Sequence, residues 1–239
     1  MTRSLIPIIT DIGQARQTVL RRAAWDDQEV PDVVRAGIRR RFGEELTPAA
    51  AVARVLSDVR RRGETAALEW TQRIDGVTLA SLTVSRAEQQ AALARLPAAL
   101  VEALQLAKER IEAFHRKQPM DSWVDAGADG VLGQLVRPLD AVGVYVPGGT
   151  APLPSSLLMA AVPARVAGVT RIVAVTPPDR ASGRVPDVIL AAAALAGVDE
   201  LWAVGGAQAI GLLAYGGATL AAVDKIAGPG GLFPSLLPN

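Results

Sequence analysis

The sequence contains no cysteine and a single histidine, so two common sources of catalytic and metal-binding groups are nearly missing. Without thiols, disulfide bonds, thiolate zinc sites and a cysteine nucleophile are excluded. A zinc site with one histidine would depend mainly on carboxylates, which is unusual for zinc. His115 follows an apolar helical pattern that begins at Pro97, and we predict a structural or solvent-facing role for it. We therefore predict no catalytic residue and no metal site in this chain.

Net charge and aromatic residues are also scarce. The 25 basic and 24 acidic residues leave a formal charge of +1, which gives no electrostatic footprint for nucleic acid. Aromatic residues make up 4% of the chain while 50% is hydrophobic, so alanine, valine and leucine must fill the core. No apolar run approaches the roughly 20 residues of a membrane span, and no signal-peptide pattern is found. We expect a cytoplasmic protein that binds neither nucleic acid nor membrane.

The first half of the chain has the patterns of helices. Residues 1–46 form a charge-rich, helical lead-in, and residues 47–138 form a mainly helical region. Thr47 is a suitable N-cap before Pro48, and the segment 85–88 fits a capping box that opens another helix. The stretch 119–130 is interpreted as a turn-rich connector.

After residue 139 the pattern changes to short apolar strands that alternate with alanine- and leucine-rich helices. The predicted strands are 142–146, 171–176, 200–204 and 223–227, and the predicted helices between them are 155–168, 185–197 and 207–215. Strand and helix alternating at roughly 30-residue spacing are typical of βαβ units on a parallel sheet. The predicted fold is therefore α/β: an incomplete, Rossmann-like parallel-sheet domain over 139–227, preceded by the mainly helical region.

Three glycine-rich loops follow predicted strands, at 147–149, 205–208 and 228–231. Ligands of open parallel sheets bind at the carboxyl ends of the strands, where glycine lets the backbone come close to them. The alternative is that glycine and proline simply end the strands, and the residues alone leave both readings open. Neither G-x-G-x-x-G nor a phosphate-binding loop motif is present, so a conventional dinucleotide fingerprint is missing.

Two side chains near these loops are candidates for ligand binding. Gln208 begins a helix directly after a Gly-Gly turn, where its amide would either orient a ribose or a nicotinamide amide, or cap its own helix. Tyr145 lies near the end of the first strand, where it is either part of the core or presents its hydroxyl at the sheet edge.

Long, nearly contiguous strings between Arg137 and Gly230 resemble the histidinol dehydrogenase family, and a looser similarity extends upstream to about residue 45. The matching strings are RPLDAVGVYVPGGTAPLPSSLLM (137–159), PARVAG (163–168), VTPP (175–178), AGVDELWAVGGAQAIGLLAYG (196–216) and VDKIAGPG (223–230).

The resemblance implies an NAD- and zinc-dependent homodimer that oxidises L-histidinol to L-histidine through the aldehyde, in histidine biosynthesis. It also implies cofactor contacts from Tyr145 in the VYVPGG string and from Gln208 in GGAQA. The family's third contact is an asparagine, and that position is Gly231 here, which has no side chain to bind the cofactor.

The resemblance further implies that the zinc ligands and the catalytic Glu-His pair of the family lie beyond the GPG string. We expect this chain to be the amino-terminal half, truncated before those residues, with a tail at 228–239 that departs from the family and with little activity on its own. Residues 47–138 would belong to a domain that the missing half completes, so the helices of 47–118 would expose apolar faces. The alternatives are a residual nucleotide-binding or partner-binding module, or a non-functional remnant.

Overall fold

A computed structural model describes residues 8–21, 30–127, 129–148 and 151–229 of the chain. The described helices are α1 (Ile12–Gln17), α2 (Asp32–Phe42), α3 (Pro48–Arg62), α4 (Glu64–Asp75), α5 (Arg86–Arg95), α6 (Ala98–His115), α7 (Pro154–Val166), α8 (Asp187–Ala196) and α9 (Gly206–Tyr215). The described strands are β1 (Thr83–Val84), β2 (Trp123–Gly127), β3 (Gly130–Gln134), β4 (Ala141–Tyr145), β5 (Arg171–Thr176), β6 (Glu200–Ala203) and β7 (Lys225–Ala227).

Five of these strands form one sheet in the order β1-β6-β5-β4-β7. The pairs β4–β5, β5–β6 and β4–β7 are parallel, and the short edge strand β1 is antiparallel to β6. The predicted α/β class with a parallel sheet is confirmed, and each predicted strand and helix after residue 139 is present with ends shifted by at most a few residues.

Helices cover both faces of the sheet because successive strand side chains point to opposite sides and both sets are apolar. Val173 and Val175 of β5 belong to one core, which they share with helices α2, α3, α4 and α9. Ile172 and Ala174 belong to the other core, which they share with α5, α6, α7 and α8.

The amino-terminal helices begin where their capping residues predict. The Thr47 hydroxyl accepts a hydrogen bond from the backbone N–H of Ala50 at 3.1 Å, and the Ser85 hydroxyl accepts one from Glu88 at the same distance. Side-chain caps of this kind satisfy donors that the first helical turn leaves without partners.

Two expectations for this region are wrong. The stretch 119–130 contains most of a β-hairpin rather than a connector without strands, since β2 and β3 pair from Trp123↔Gln134 to Gly127↔Gly130. The helices of 47–118 also do not all expose apolar faces. The apolar face of α3 is buried against α9 and against its neighbours α2 and α4, and Val59 is completely inaccessible. Exposed large apolar side chains remain on α6, such as Phe114 at 64%.

The close approach of α3 to α9 depends on Gly211. A Cβ atom at this position would lie 3.1 Å from Cγ1 of Val59, which is tighter than ordinary packing, so only glycine lets the two helices meet without displacement.

We predict that Val59→Ala lowers the free energy of unfolding by about 2–3 kcal/mol, because it removes buried methyl groups and leaves a cavity. Urea denaturation followed by circular dichroism measures this loss. The matched control is Val33→Ala on α2, whose side chain is 79% exposed and whose loss should change stability by less than about 0.5 kcal/mol. Equal effects of the two substitutions would show that Val59 of α3 does not pack on α9.

Candidate functional site

The loops at the carboxyl edge of the sheet pack against one another around Pro177, which follows β5. A Cβ atom at Gly148 would collide with the ring of Pro177, and one at Gly205 would lie 2.6 Å from its Cβ. A Cβ atom at Gly228 would collide with the carbonyl oxygen of Tyr145. Dense loop packing therefore accounts for one glycine in each of the three predicted glycine loops.

Tyr145 presents its hydroxyl at this sheet edge although its side chain is largely buried. The hydroxyl oxygen accepts a hydrogen bond from the backbone N–H of Gly206 at 3.3 Å, which ties β4 to the first turn of α9. Burial raises the pKa of the Tyr145 hydroxyl, the Gly206 hydrogen bond opposes this effect, and the nearby carboxylate of Asp75 adds to it. The hydroxyl is therefore neutral at physiological pH and can both accept and donate.

Gln208 is fully buried in the first turn of α9. Its Nε2 donates a long hydrogen bond, 3.5 Å, to Oδ2 of Asp75, and its Oε1 has no partner within the described residues. Gln208 thus bonds to another helix rather than capping its own. Gly206 has a φ of +60°, and a Cβ atom there would lie 2.7 Å from Oε1. Glycine therefore leaves the amide oxygen room beside the backbone.

Asp75 is the last residue of α4 and is partly buried next to Gln208. Burial raises the pKa of its carboxyl, and the positive charges of Arg180 and Arg41 oppose that effect. Its position at the end of α4 further disfavours the ionised carboxylate, since a helix carboxyl terminus carries partial negative charge. None of Arg41, Asp75 and Arg180 is predicted as a site residue from the sequence alone.

A cleft lies between the amino-terminal helices and the start of α9. Its volume is about 150 Å³. Its lining is mainly apolar, with one guanidinium and the backbone of the α9 amino terminus: Ile38, Arg41, Phe42, Ala51, Val52, Val55, Ile74, Gly206 and Ala207. Apolar walls with a few directed polar groups are typical of small-molecule sites.

Several predicted features lie elsewhere or outside the described part of the chain. Gly231 lies outside the described residues, as do Gly149 and Gly230 of the predicted loops. His115 is the last residue of α6, partly exposed, with Nδ1 2.7 Å from Oε1 of Gln118.

Neither a metal-binding group nor a membrane-spanning helix occurs among the described residues. No three of their histidine, aspartate or glutamate side chains form a group that could hold a metal ion. None of their helices is long and apolar enough to cross a bilayer.

Comparison with known proteins identifies the family. The family profile named Histidinol dehydrogenase matches residues 39–236. The chain belongs to the histidinol dehydrogenase family. It is 54% identical over 204 residues to the histidinol dehydrogenase of Deinococcus radiodurans, covering 85% of this chain and 46% of that protein. It is 48% identical over 206 residues to that of Moorella thermoacetica, covering 83% and 48%.

The fold agrees with a solved relative. The crystal structure of histidinol dehydrogenase from Elizabethkingia anophelis matches with a TM-score of 0.75 and 31% identity, over 92% of this chain and 47% of that one. The chain spans about half the length of the relatives that it matches.

We predict opposite pH dependences for two aspartate substitutions. The raised pKa of Asp75 means that its contribution to stability is present below the ordinary carboxyl pKa, near 4, and is lost as the pH rises through the folded-state pKa. Asp75→Asn should therefore gain stability relative to the wild type as the pH rises from about 4 to 7. Urea unfolding at several pH values measures the difference between the two proteins.

The matched control is Asp58→Asn. The hydrogen bond from Arg62 lowers the pKa of Asp58, with burial opposing it and Trp70 contributing a further hydrogen bond. This variant should lose stability relative to the wild type as the pH rises through the acid range up to about 4, and the difference should then stay nearly constant to pH 7. A lowered pKa stabilises the protein only when the carboxyl is ionised, and that contribution is complete above the ordinary carboxyl pKa. If the stability of both variants relative to the wild type changed with pH in the same way, the pKa of Asp75 would not be raised by burial.

Proposed function

We propose that this chain is the nucleotide-binding side of a histidinol dehydrogenase, an oxidoreductase that converts L-histidinol to L-histidine with NAD in the cytoplasm. The observation that carries the proposal is the 54% identity to a named histidinol dehydrogenase across 85% of this chain. The cleft beside Tyr145 and Gln208 supports a ligand site at the carboxyl edge of the sheet, where parallel α/β sheets bind nucleotides.

In this proposal Gln208 supplies the main directed contact to NAD. Its buried Oε1 has no partner within the described residues, and an unpaired buried acceptor costs free energy that a donor on a ligand would recover. A ribose hydroxyl or the nicotinamide carboxamide is a suitable donor. The Tyr145 hydroxyl fixes the backbone of Gly206 and remains able to donate to the ligand.

NAD, when bound, would supply the hydride-accepting chemistry for both oxidation steps, with one NAD reduced in each. The part of the reaction assigned to this chain is binding and orientation. The described residues do not fit the zinc ion of the family, because they contain no group of ligands for it. We propose that the zinc ligands, the acid–base groups, the histidinol contacts and the homodimer interface depend on sequence corresponding to the unmatched half of the relatives.

We predict that Gln208→Met weakens NAD binding to this chain at a small cost in stability, because it also removes the long hydrogen bond to Asp75. Methionine fills a similar volume but removes the amide oxygen, so one ligand hydrogen bond worth about 1 kcal/mol, or roughly fivefold in Kd, is lost. Isothermal titration calorimetry gives the Kd, and thermal unfolding gives the stability.

The control is Gln89→Met. Gln89 on α5 is also buried with an unpartnered Oε1, but it lies away from the cleft. This variant should bind NAD like the wild type. If both variants and the wild type bound NAD with equal affinity, Gln208 would not contact the cofactor. If the wild type did not bind NAD, the proposed function would be rejected.

The β2–β3 hairpin favours a second candidate function, binding of a partner subunit. All ten residues of its strands are exposed, whereas a lone two-stranded hairpin is at best marginally stable in water. It carries Val124 and Val131 on one side and Trp123 and Leu132 on the other, each at least 53% exposed. Apolar exposure on both sides indicates a surface that another polypeptide covers.

We predict that the chain self-associates through this hairpin and that the double substitution Val131→Lys, Leu132→Lys abolishes the association. Charges on both sides of the hairpin oppose burial in an interface. Sedimentation velocity over a range of concentrations measures the effect, with Val33→Lys on exposed α2 as the control. A wild-type chain that sediments as a monomer at every concentration would contradict this function.

A further inference from the structure

Two arginine side chains from distant parts of the sequence converge at one point on the rim of the cleft. Nε of Arg41, on α2, donates to the carbonyl oxygen of Ile74 at 3.4 Å, and Nη2 of Arg180, in the loop after β5, donates to the same oxygen at 3.5 Å. Arg41 also lines the cleft together with Ile74 and Gly206. The two cations are thereby held side by side next to the start of α9.

The contacts of Arg41 and Arg180 within the described residues leave most of their N–H donors available for a ligand. A guanidinium offers five N–H donors, whereas the described hydrogen bonds of the pair are all long, including that from Nη1 of Arg41 to Gly37 at 3.4 Å. Within the described residues neither arginine has a carboxylate oxygen within 4.0 Å. Burial, Arg40 and Arg180 all lower the pKa of Arg41, with Asp75 opposing them. The single carboxylate of Asp75 does not balance the charges of the three arginines, so the rim carries an excess of positive charge.

The amino terminus of α9 adds a second, independent set of features to the same cleft. Among the described residues no N-cap side chain closes this ten-residue helix at Gly205, and the Tyr145 hydroxyl takes the N–H of Gly206, so the N–H groups that follow Gly206 favour an anion. The fully buried Gln208 one turn in carries an amide oxygen without a partner in the described part of the chain. This oxygen lies directly behind Gly206 of the cleft wall, since a Cβ atom at Gly206 would be 2.7 Å from it. The cleft thus offers cationic and N–H donors, with one unsatisfied acceptor behind its wall. A ligand that satisfies all of them carries both an anionic group and a hydroxyl or amide donor.

We infer that Arg41 and Arg180 clamp the diphosphate of a dinucleotide while an attached ribose hydroxyl donates to Gln208 Oε1. The inference rests on the proposed function for the identity of the ligand as NAD, and on the geometry of the rim for the diphosphate contact. Guanidinium groups bind phosphate oxygens through paired, charge-assisted hydrogen bonds, so two of them suit a diphosphate better than a neutral ligand.

The test compares Arg41→Gln and Arg180→Gln with Arg110→Gln, an exposed residue of α6 on the opposite face of the sheet, which changes net charge equally. Calorimetry with the 239-residue chain measures the Kd of NAD, of inorganic pyrophosphate and of nicotinamide riboside, which lacks phosphate. We expect each clamp variant to weaken NAD and pyrophosphate about tenfold, with nicotinamide riboside unaffected and with NAD affinity less dependent on salt. Arg110→Gln should match the wild type.

Arg41→Lys keeps the charge and should recover part of the pyrophosphate affinity, which separates a lost contact from a folding defect. If pyrophosphate binds and the clamp variants lose it while NAD does not bind, the anion site stands and the proposed function fails. If NAD binds equally to the wild type and to both clamp variants, the proposed function stands and the clamp is wrong. If pyrophosphate does not bind to the wild type, the clamp is also wrong.

Discussion

The packing of α3 on α9 is the contact on which the candidate site depends. Gly211 lets the two helices approach until Val59 is completely buried between them. Since α4 follows α3 after the single residue Gly63, this docking also carries the end of α4 to the carboxyl edge of the sheet. Asp75 then meets Gln208 across a boundary between two regions of the sequence.

The same docking determines the electrostatics of the cleft. Burial beside the sheet raises the pKa of Asp75 and lowers that of Arg41, because each loses water without gaining a close counter-ion within the described residues. Side chains with such perturbed pKa values in an apolar cleft are candidates for ligand contact. A nucleotide would supply both the negative charge that the arginines lack and the donor that Gln208 lacks.

The sheet could be predicted from the sequence because its signals are local. The runs ending at Tyr145 and Thr176 are apolar, rich in β-branched residues and closed by proline or glycine, and Tyr145 and Gln208 follow from their place at strand and helix ends. The cleft could not be predicted, since Arg41, Asp75 and Arg180 meet only through tertiary packing. The hairpin β2–β3 had a usable signal in the turn-forming residues Asp129 and Gly130, which lie between two short apolar runs.

The central claim is that a nucleotide binds between the first turn of α9 and the amino-terminal helices. Nuclear magnetic resonance of the isotope-labelled chain during titration with NAD tests it most directly. If a nucleotide binds there, we expect the largest shift changes at the backbone N–H of Gly206, the side-chain amide of Gln208 and the Nε–H of Arg41. Changes confined to the β2–β3 hairpin, or no changes at millimolar NAD, would contradict it.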